Sequence, residues 1–136
     1  MQSAGRPRNV NPEELGPSRG FSHATVAGET VWIGGQIGSD ATGRVVEPVD
    51  VVAQFGRAIR NVAVALRAAG CGPEDTVKLT YYVTDVAAYK ANLRAIGEAY
   101  REVFGRHYPA TTLIEVRSLF DPDALVEIDA VAVRQT

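Results

Sequence analysis

Apolar residues recur at alternating spacings of three and four in two stretches of the chain. The first stripe consists of Val52, Phe55, Ile59, Val62 and Leu66. Such spacing places all five on one face of a helix of about five turns. Asp50 is a suitable N-cap for this helix, and Gly70 can end it. A second stripe lies within residues 86–103, between Asp85 and Gly105. The pattern predicts two helices, each with one apolar face.

Other stretches alternate apolar and polar residues, which is typical of strands with one buried face. The predicted strands are residues 21–27, 30–34, 77–83, 108–119 and 124–134, with a short edge strand near Arg8–Val10. Gly28-Glu29 is a tight turn that makes the first two of the main strands a β-hairpin. Val77 falls among the buried positions of its strand.

The last strand carries acids among apolar residues. One face consists of Val126, Ile128, Ala130 and Ala132, and the other of Leu125, Glu127, Asp129, Val131 and Val133. Leucine and valine favour burial, whereas carboxylates need water or a partner. A subunit interface that contains a cleft satisfies both requirements, so we expect one there.

The element order β-β-α-β-α-β-β predicts an α+β domain with a mixed sheet of five to six strands. Right-handed connections place both helices on one sheet face. The other face then exposes apolar residues such as Leu113 and Val131, which favours a homo-oligomer. Three prolines and no hydrophobic period in residues 1–18 predict an irregular N-terminal arm, followed by a single domain at 19–136.

Composition narrows the function classes. The net charge is −2 and no basic run occurs, which argues against nucleic acid as a partner. No apolar run is long enough for a membrane span and the N-terminus lacks a signal peptide, so we expect a cytoplasmic protein. Cys71 has no partner for a disulfide, and we expect it in a surface loop. The glycines of 34–38 lack the spacing of a phosphate cradle. We expect no cofactor and no metal.

Several ordered segments carry a family resemblance. They include Gly20-Phe21-Ser22-His23-Ala24, Gly35-Gln36, Val83-Thr84-Asp85, Pro109-Ala110 and the 126–132 strand. From about Gly20 to Arg134, the chain resembles the RidA/YjgF family, also labelled endoribonuclease L-PSP. The resemblance implies a homotrimer with a chorismate-mutase-like fold, two helices on one sheet face and small-molecule clefts between subunits. Many members hydrolyse reactive enamines and imines to ketoacids and ammonia.

The resemblance also implies which residues form the site. Glu127 matches the family's acid, and a carboxyl in a semi-apolar interface can position a water and pass protons, because burial raises its pKa. A structural carboxylate bonded to a neighbouring strand or subunit is the alternative for Glu127. The substrate-binding positions would be Phe21, Gly35, Asn92, Pro109, Thr111 and Leu113. Gly35 and Asn92 can equally be structural.

Three of these positions depart from the deaminating branch. Thr111 replaces an arginine that grips the substrate carboxylate, so a charge-assisted contact of roughly 1.5–3 kcal/mol is absent. Phe21 replaces a tyrosine, and Leu113 is bulkier than usual. Arg19 of another subunit is a possible substitute for the arginine. The cleft is thus less polar, which favours a protein that binds or acts on a neutral or apolar ligand. An enamine/imine deaminase of altered scope and an L-PSP-type endoribonuclease are the alternatives.

Overall fold

Six strands and three α-helices are present in residues 5–135, the part of the chain that the computed structural model describes. The strands are β1 (Arg8–Val10), β2 (Ala24–Ala27), β3 (Thr30–Ile37), β4 (Thr76–Val83), β5 (Ala110–Glu115) and β6 (Val126–Val133). The helices are α1 (Val51–Ala68), α2 (Val86–Ala91) and α3 (Leu93–Phe104). Single turns of 3-10 helix lie at Glu13–Leu15 and Pro73–Asp75. The predicted α+β class is confirmed.

The strands form one mixed sheet in the order β1-β2-β3-β6-β4-β5. Among the described strands, only β4 and β5 run parallel, and the chain between them passes through α2 and α3, as a parallel connection requires. The predicted β2–β3 hairpin and the edge strand at Arg8–Val10 are confirmed. The last strand in sequence, β6, lies at the centre of the sheet between β3 and β4.

The helices cover one face of this sheet. Phe55, Ile59 and Leu66 of α1 are completely or almost completely buried, together with Leu79 of β4 and Ile128 of β6. The predicted caps are also present. The carboxylate of Asp50 accepts a hydrogen bond from the Ala53 N–H at 3.0 Å, and Gly70 follows the helix at a φ of 88°. The apolar stripe of α1 is therefore the main cover of the core.

The opposite face of the sheet is open in a single chain. Trp32 is 47% exposed, Ile114 43% and Val133 38%. Trp32 and Val133 alternate with the buried residues of their strands, and Ile114 is paired with Tyr82. Side chains of this size are rarely left in water as a group. Within the described residues, no helix has the length and apolar character to cross a bilayer.

Several predicted elements have different bounds, and the strand predicted at 108–119 covers only Ala110–Glu115. The strand predicted at 21–27 begins only at Ala24, and β3 extends to Ile37 through a bulge between Ile33 and Gln36. The single helix predicted after Asp85 is two helices that meet at Asn92, whose Nδ2 donates to the Ala88 carbonyl at 2.8 Å. An asparagine side chain that bonds its own backbone competes with the helical conformation, so the helix ends there.

Three predicted environments were wrong. Val77 is 48% exposed because the register of β4 against β6 shifts between Thr76 and Lys78, which turns Thr76 inward instead. Cys71 is buried against the core, although it follows a helix and belongs to a turn. Leu113 lies on the helix side of the sheet, since it is paired with the core residue Tyr81.

Candidate functional site

Glu127 lies in the middle of the open sheet face. It is half-buried on β6, opposite Ile37 of β3 and Tyr82 of β4. Burial raises the pKa of its carboxyl, and the nearby charge of Asp129 raises it further. Asp129 itself accepts a hydrogen bond from the Tyr82 hydroxyl at 3.1 Å. Glu127 therefore holds its proton to a higher pH than an exposed glutamate does.

Gly35 makes room for this carboxyl. A β-carbon at position 35 would lie 2.7 Å from Glu127 Cδ, and closer still to Oε2. The glycine belongs to the bulge of β3, where the strand shifts its register against β6. The sequence motif Gly35-Gln36 thus serves a packing purpose: it lets the Glu127 side chain lie flat against the backbone of the neighbouring strand.

A pocket of about 360 Å³ opens above Glu127 and Gly35. Its apolar walls include Phe21, which is 56% exposed, and Phe120, which is completely exposed. Among the described residues that line this pocket, Glu127 is the carboxyl whose pKa is raised. Two exposed aromatic rings beside a half-buried acid favour a ligand that is partly apolar.

His23 and Gln36 form a buried hydrogen-bonded pair at the base of this pocket. Gln36 Nε2 lies 3.1 Å from His23 Nδ1 and donates to the Gly34 carbonyl at 3.2 Å. His23 Nε2 lies 3.2 Å from the Gly16 carbonyl, which can only accept, so Nε2 carries the proton and Nδ1 accepts from Gln36. The His23 N–H also donates to Asn11 Oδ1 at 2.8 Å.

This pair was not predicted as part of the site. It ties the segment before β2 to the bulge that holds Gly35. Both residues occur in the family-like segments of the sequence, and that was the only signal that pointed to them. Their contact depends on the path of the chain between residues 11 and 23, which the spacing of the two residues does not reveal.

Pro109, Thr111 and Leu113 lie elsewhere in the single chain. Thr111 is paired with Leu79 and therefore faces the helix side of the sheet, opposite to Glu127. Its hydroxyl donates to the Pro109 carbonyl at 2.9 Å and is exposed. Within one chain, these three residues do not meet Phe21, Gly35 and Glu127.

Asn92 borders a third region. A concavity of about 620 Å³ lies beside the starts of α1 and α2 and includes Asn92 at its edge. Its acids, Asp50 and Asp85, already cap the two helices, and the Asn92 amide is bonded within α2. We place the candidate site in the smaller pocket instead, because there an acid with a raised pKa and exposed aromatic rings converge.

The chain is similar to known proteins in both sequence and fold. Residues 12–134 match the family model described as Endoribonuclease L-PSP. The chain is 34% identical to a RutC family protein of Pyrococcus horikoshii, covering 91% of this chain and 92% of that protein. It is 31% identical to 2-iminobutanoate/2-iminopropanoate deaminase of Capra hircus, over 90% and 84% of the two chains. The solved YjgF gene product of E. coli superposes with a TM-score of 0.82 at 31% identity, over 94% and 99% of the chains.

Proposed function

Because this chain belongs to the RidA/YjgF family, the family of the endoribonuclease L-PSP model, we propose that it binds a small, neutral or largely apolar ligand beside Glu127. One observation carries the proposal: a half-buried carboxyl with a raised pKa lies on Gly35 at the base of a pocket whose walls include Phe21 and Phe120. The Glu127 carboxyl can form a hydrogen bond with a polar group of a neutral ligand, and the aromatic walls provide apolar contact.

The electrostatics of the pocket support a ligand without a carboxylate. Among the described residues that line it, none is lysine or arginine, whereas Asp121 and Glu127 are acids. An anionic ligand would thus meet negative charge and no cation. Thr111, at the position where the deaminating relatives are expected to carry arginine, supplies one hydroxyl and no charge. A neutral ligand avoids the cost of burying an unpaired charge.

We also propose that the site is completed in a homotrimer. The open face, with Trp32, Ile114 and Val133, supplies the apolar surface that a subunit contact would bury. Thr111 and Glu127 lie on opposite faces of the sheet. A cleft that uses both therefore needs Glu127 from one subunit and Thr111 from its neighbour. That arrangement is the reason to expect an inter-subunit ligand site.

Imine hydrolysis is the second candidate activity, because the Glu127 carboxyl can take a proton from water and return it to the substrate. Water would add its oxygen to the imine carbon while the ionised carboxylate takes the water proton. The carboxyl would then return that proton to nitrogen, which gives a carbinolamine. The carboxylate would next move the hydroxyl proton of the carbinolamine to nitrogen as the carbon–nitrogen bond breaks, releasing a carbonyl product and ammonia. The named deaminase relative supports this chemistry at the family level. Ribonuclease activity is disfavoured by the net charge of −2.

A matched pair of ligands tests the neutral-ligand proposal. We expect 2-oxobutanamide to shift the amide signal of Gly35 in NMR titrations at lower concentration than the anionic 2-oxobutanoate does. The two share a carbon skeleton and differ in charge, so a difference in their affinities measures the effect of ligand charge in a pocket without a cation. Tighter binding of the anion would contradict the proposal.

A gain-of-function variant distinguishes binding of a neutral ligand from imine hydrolysis. Thr111→Arg should raise ketoacid release from imines of small amino acids at least tenfold, because a bidentate contact is worth roughly 1.5–3 kcal/mol. Thr112→Arg is the matched control, since Thr112 faces the other side of the sheet and accepts a bond from Lys78 Nζ at 2.6 Å. Adding Glu127→Gln should abolish the gain. Wild-type turnover equal to that of the Capra hircus deaminase would refute the neutral-ligand reading.

A further inference from the structure

His23 lies where two parts of the Glu127 pocket meet. Only 6% of the residue is exposed, and it lines the same pocket as Phe21, Gly35 and Glu127. We propose that His23 is a positioning residue of this pocket. Its ring holds the Phe21 wall in place, and its Nδ1 atom, through Gln36, holds the bulge of β3 under Glu127. The proposal rests on the ligand site proposed above and names the residue that keeps that site in shape.

The ring of His23 supports one wall of the pocket. The Phe21 ring meets it edge to face, with centroids 5.3 Å apart and an interplanar angle of 85°. This arrangement is favourable for two aromatic rings. Phe21 is more than half exposed and precedes β2, which begins at Ala24, so strand pairing does not hold it. The buried histidine is therefore the ring that fixes the direction of the exposed phenylalanine.

Three hydrogen bonds in series connect His23 to the bulge. His23 Nε2 donates to the Gly16 carbonyl at 3.2 Å. Gln36 Nε2 donates to His23 Nδ1 at 3.1 Å and to the Gly34 carbonyl at 3.2 Å. Both ends of the series are carbonyls, which only accept, so each donor between them has one possible direction. Loss of the Nδ1 acceptor would leave an N–H of the buried Gln36 amide without a partner, and that cost favours a rearrangement of the amide.

The bulge in turn sets the place of the Glu127 carboxyl. The Gly34 N–H donates to the His23 carbonyl at 2.8 Å, which fixes the bulge to the segment before β2. Gly35 follows directly, and its missing side chain leaves the room that the Glu127 carboxyl occupies. A change in the contact between His23 and Gln36 should therefore move Gly35 and the carboxyl that lies on it.

Two substitutions separate the contact of the ring from the contact of Nδ1. His23→Asn places an amide oxygen close to the position of Nδ1, so the bond from Gln36 is retained and the ring is lost. His23→Phe retains a ring beside Phe21 and removes the acceptor. His107→Asn is the matched control, because His107 Nε2 donates to the Thr76 carbonyl at 2.8 Å and His107 does not line the pocket.

Two NMR measurements on the ligand-free protein test the positions. Labelling with 4-fluorophenylalanine gives one fluorine signal for each of the four phenylalanines, and Phe21→Leu identifies the signal of Phe21. His23→Asn should increase the mobility of the Phe21 ring in fluorine relaxation and leave the titration of Glu127 unchanged. His23→Phe should leave the ring mobility unchanged and lower the pKa of Glu127 toward its usual value, because burial is the main cause of the raised pKa. His107→Asn should change neither measurement.

Ligand binding connects these positions to the proposed function. The affinity for 2-oxobutanamide should fall about tenfold in each His23 variant, as expected for the loss of one well-placed contact, and should be retained in His107→Asn. A wild type that does not bind 2-oxobutanamide, in variants that still show both changes of position, would refute the proposed ligand and support the role of His23. The proposal is overturned if the Phe21 ring stays ordered in His23→Asn or if the Glu127 titration is unchanged in His23→Phe. It is also overturned if both variants change both measurements, as a general loss of packing would.

Discussion

Replacing Gly35 by alanine should displace the Glu127 carboxyl. The added β-carbon would lie 2.7 Å from Glu127 Cδ and 2.9 Å from Cγ, well inside ordinary contact distance. The φ of Gly35 is outside the left-handed region, so alanine fits the local backbone without strain. The collision with Glu127 is therefore the main consequence of the substitution, and the carboxyl must rotate away toward solvent.

The expected cost is about 1 kcal/mol of unfolding free energy. Overpacking in a rigid core costs roughly 1–3 kcal/mol, and this contact belongs at the lower end because the colliding atoms are at the end of a flexible side chain. In a Glu127→Ala background those atoms are absent, so Gly35→Ala should cost almost nothing. The coupling between the two positions should then be about 1 kcal/mol. The raised pKa of Glu127 should also fall toward its usual value, because burial is its main cause.

Denaturant unfolding of the four variants at one protein concentration measures the coupling, and NMR titration of Glu127 measures the pKa. Gly56→Ala in α1 is the control. A β-carbon there is 3.6 Å from its nearest neighbour, Ala99 Cβ, and alanine should stabilise the helix by up to about 1 kcal/mol. That gain should be the same in both Glu127 backgrounds. An equal cost of Gly35→Ala with and without the Glu127 carboxyl would refute the assigned contact.

Three further predictions concern assembly and stability. Light scattering should give a mass of about three chains, as the exposed sheet face implies, and a mass of 14.6 kDa would contradict the proposed trimer. Glu127→Gln should stabilise the fold at about pH 7 and not at about pH 4, because the raised pKa of Glu127 in the folded state means that stability is lost as the carboxyl ionises. Denaturant unfolding at both pH values measures this difference. A gain in unfolding free energy that is independent of pH would contradict the prediction. Gln54→Leu should cost about 3 kcal/mol, since its buried amide donates to the Glu47 and Asp123 carbonyls and accepts from the Leu125 N–H; calorimetry that shows no loss would refute this estimate.

The local elements were largely predictable from the sequence. The stripe of α1, the Asp50 cap and the alternation of β6 follow from short-range spacing, because a helix face and a strand face each have a fixed period. Membership of the RidA/YjgF family followed from an ordered set of short segments, and it was confirmed by the family model over residues 12–134. Glu127 and Gly35 were named in advance from the same segments, and the structure places them in direct contact.

The bulges and the contacts at the candidate site depend on residues that are distant in sequence. A bulge moves every later side chain to the other face, and the bulges at Gly34–Gly35 and near Val77 depend on how β3 and β4 align with β6. The contact between His23 and Gln36 and the separation of Thr111 from Glu127 by the sheet are likewise products of strand order. The sequence alone determined which residues alternate and which helix faces are apolar. Only the tertiary structure decided which of them meet, because strand pairing is a long-range choice that no local period encodes.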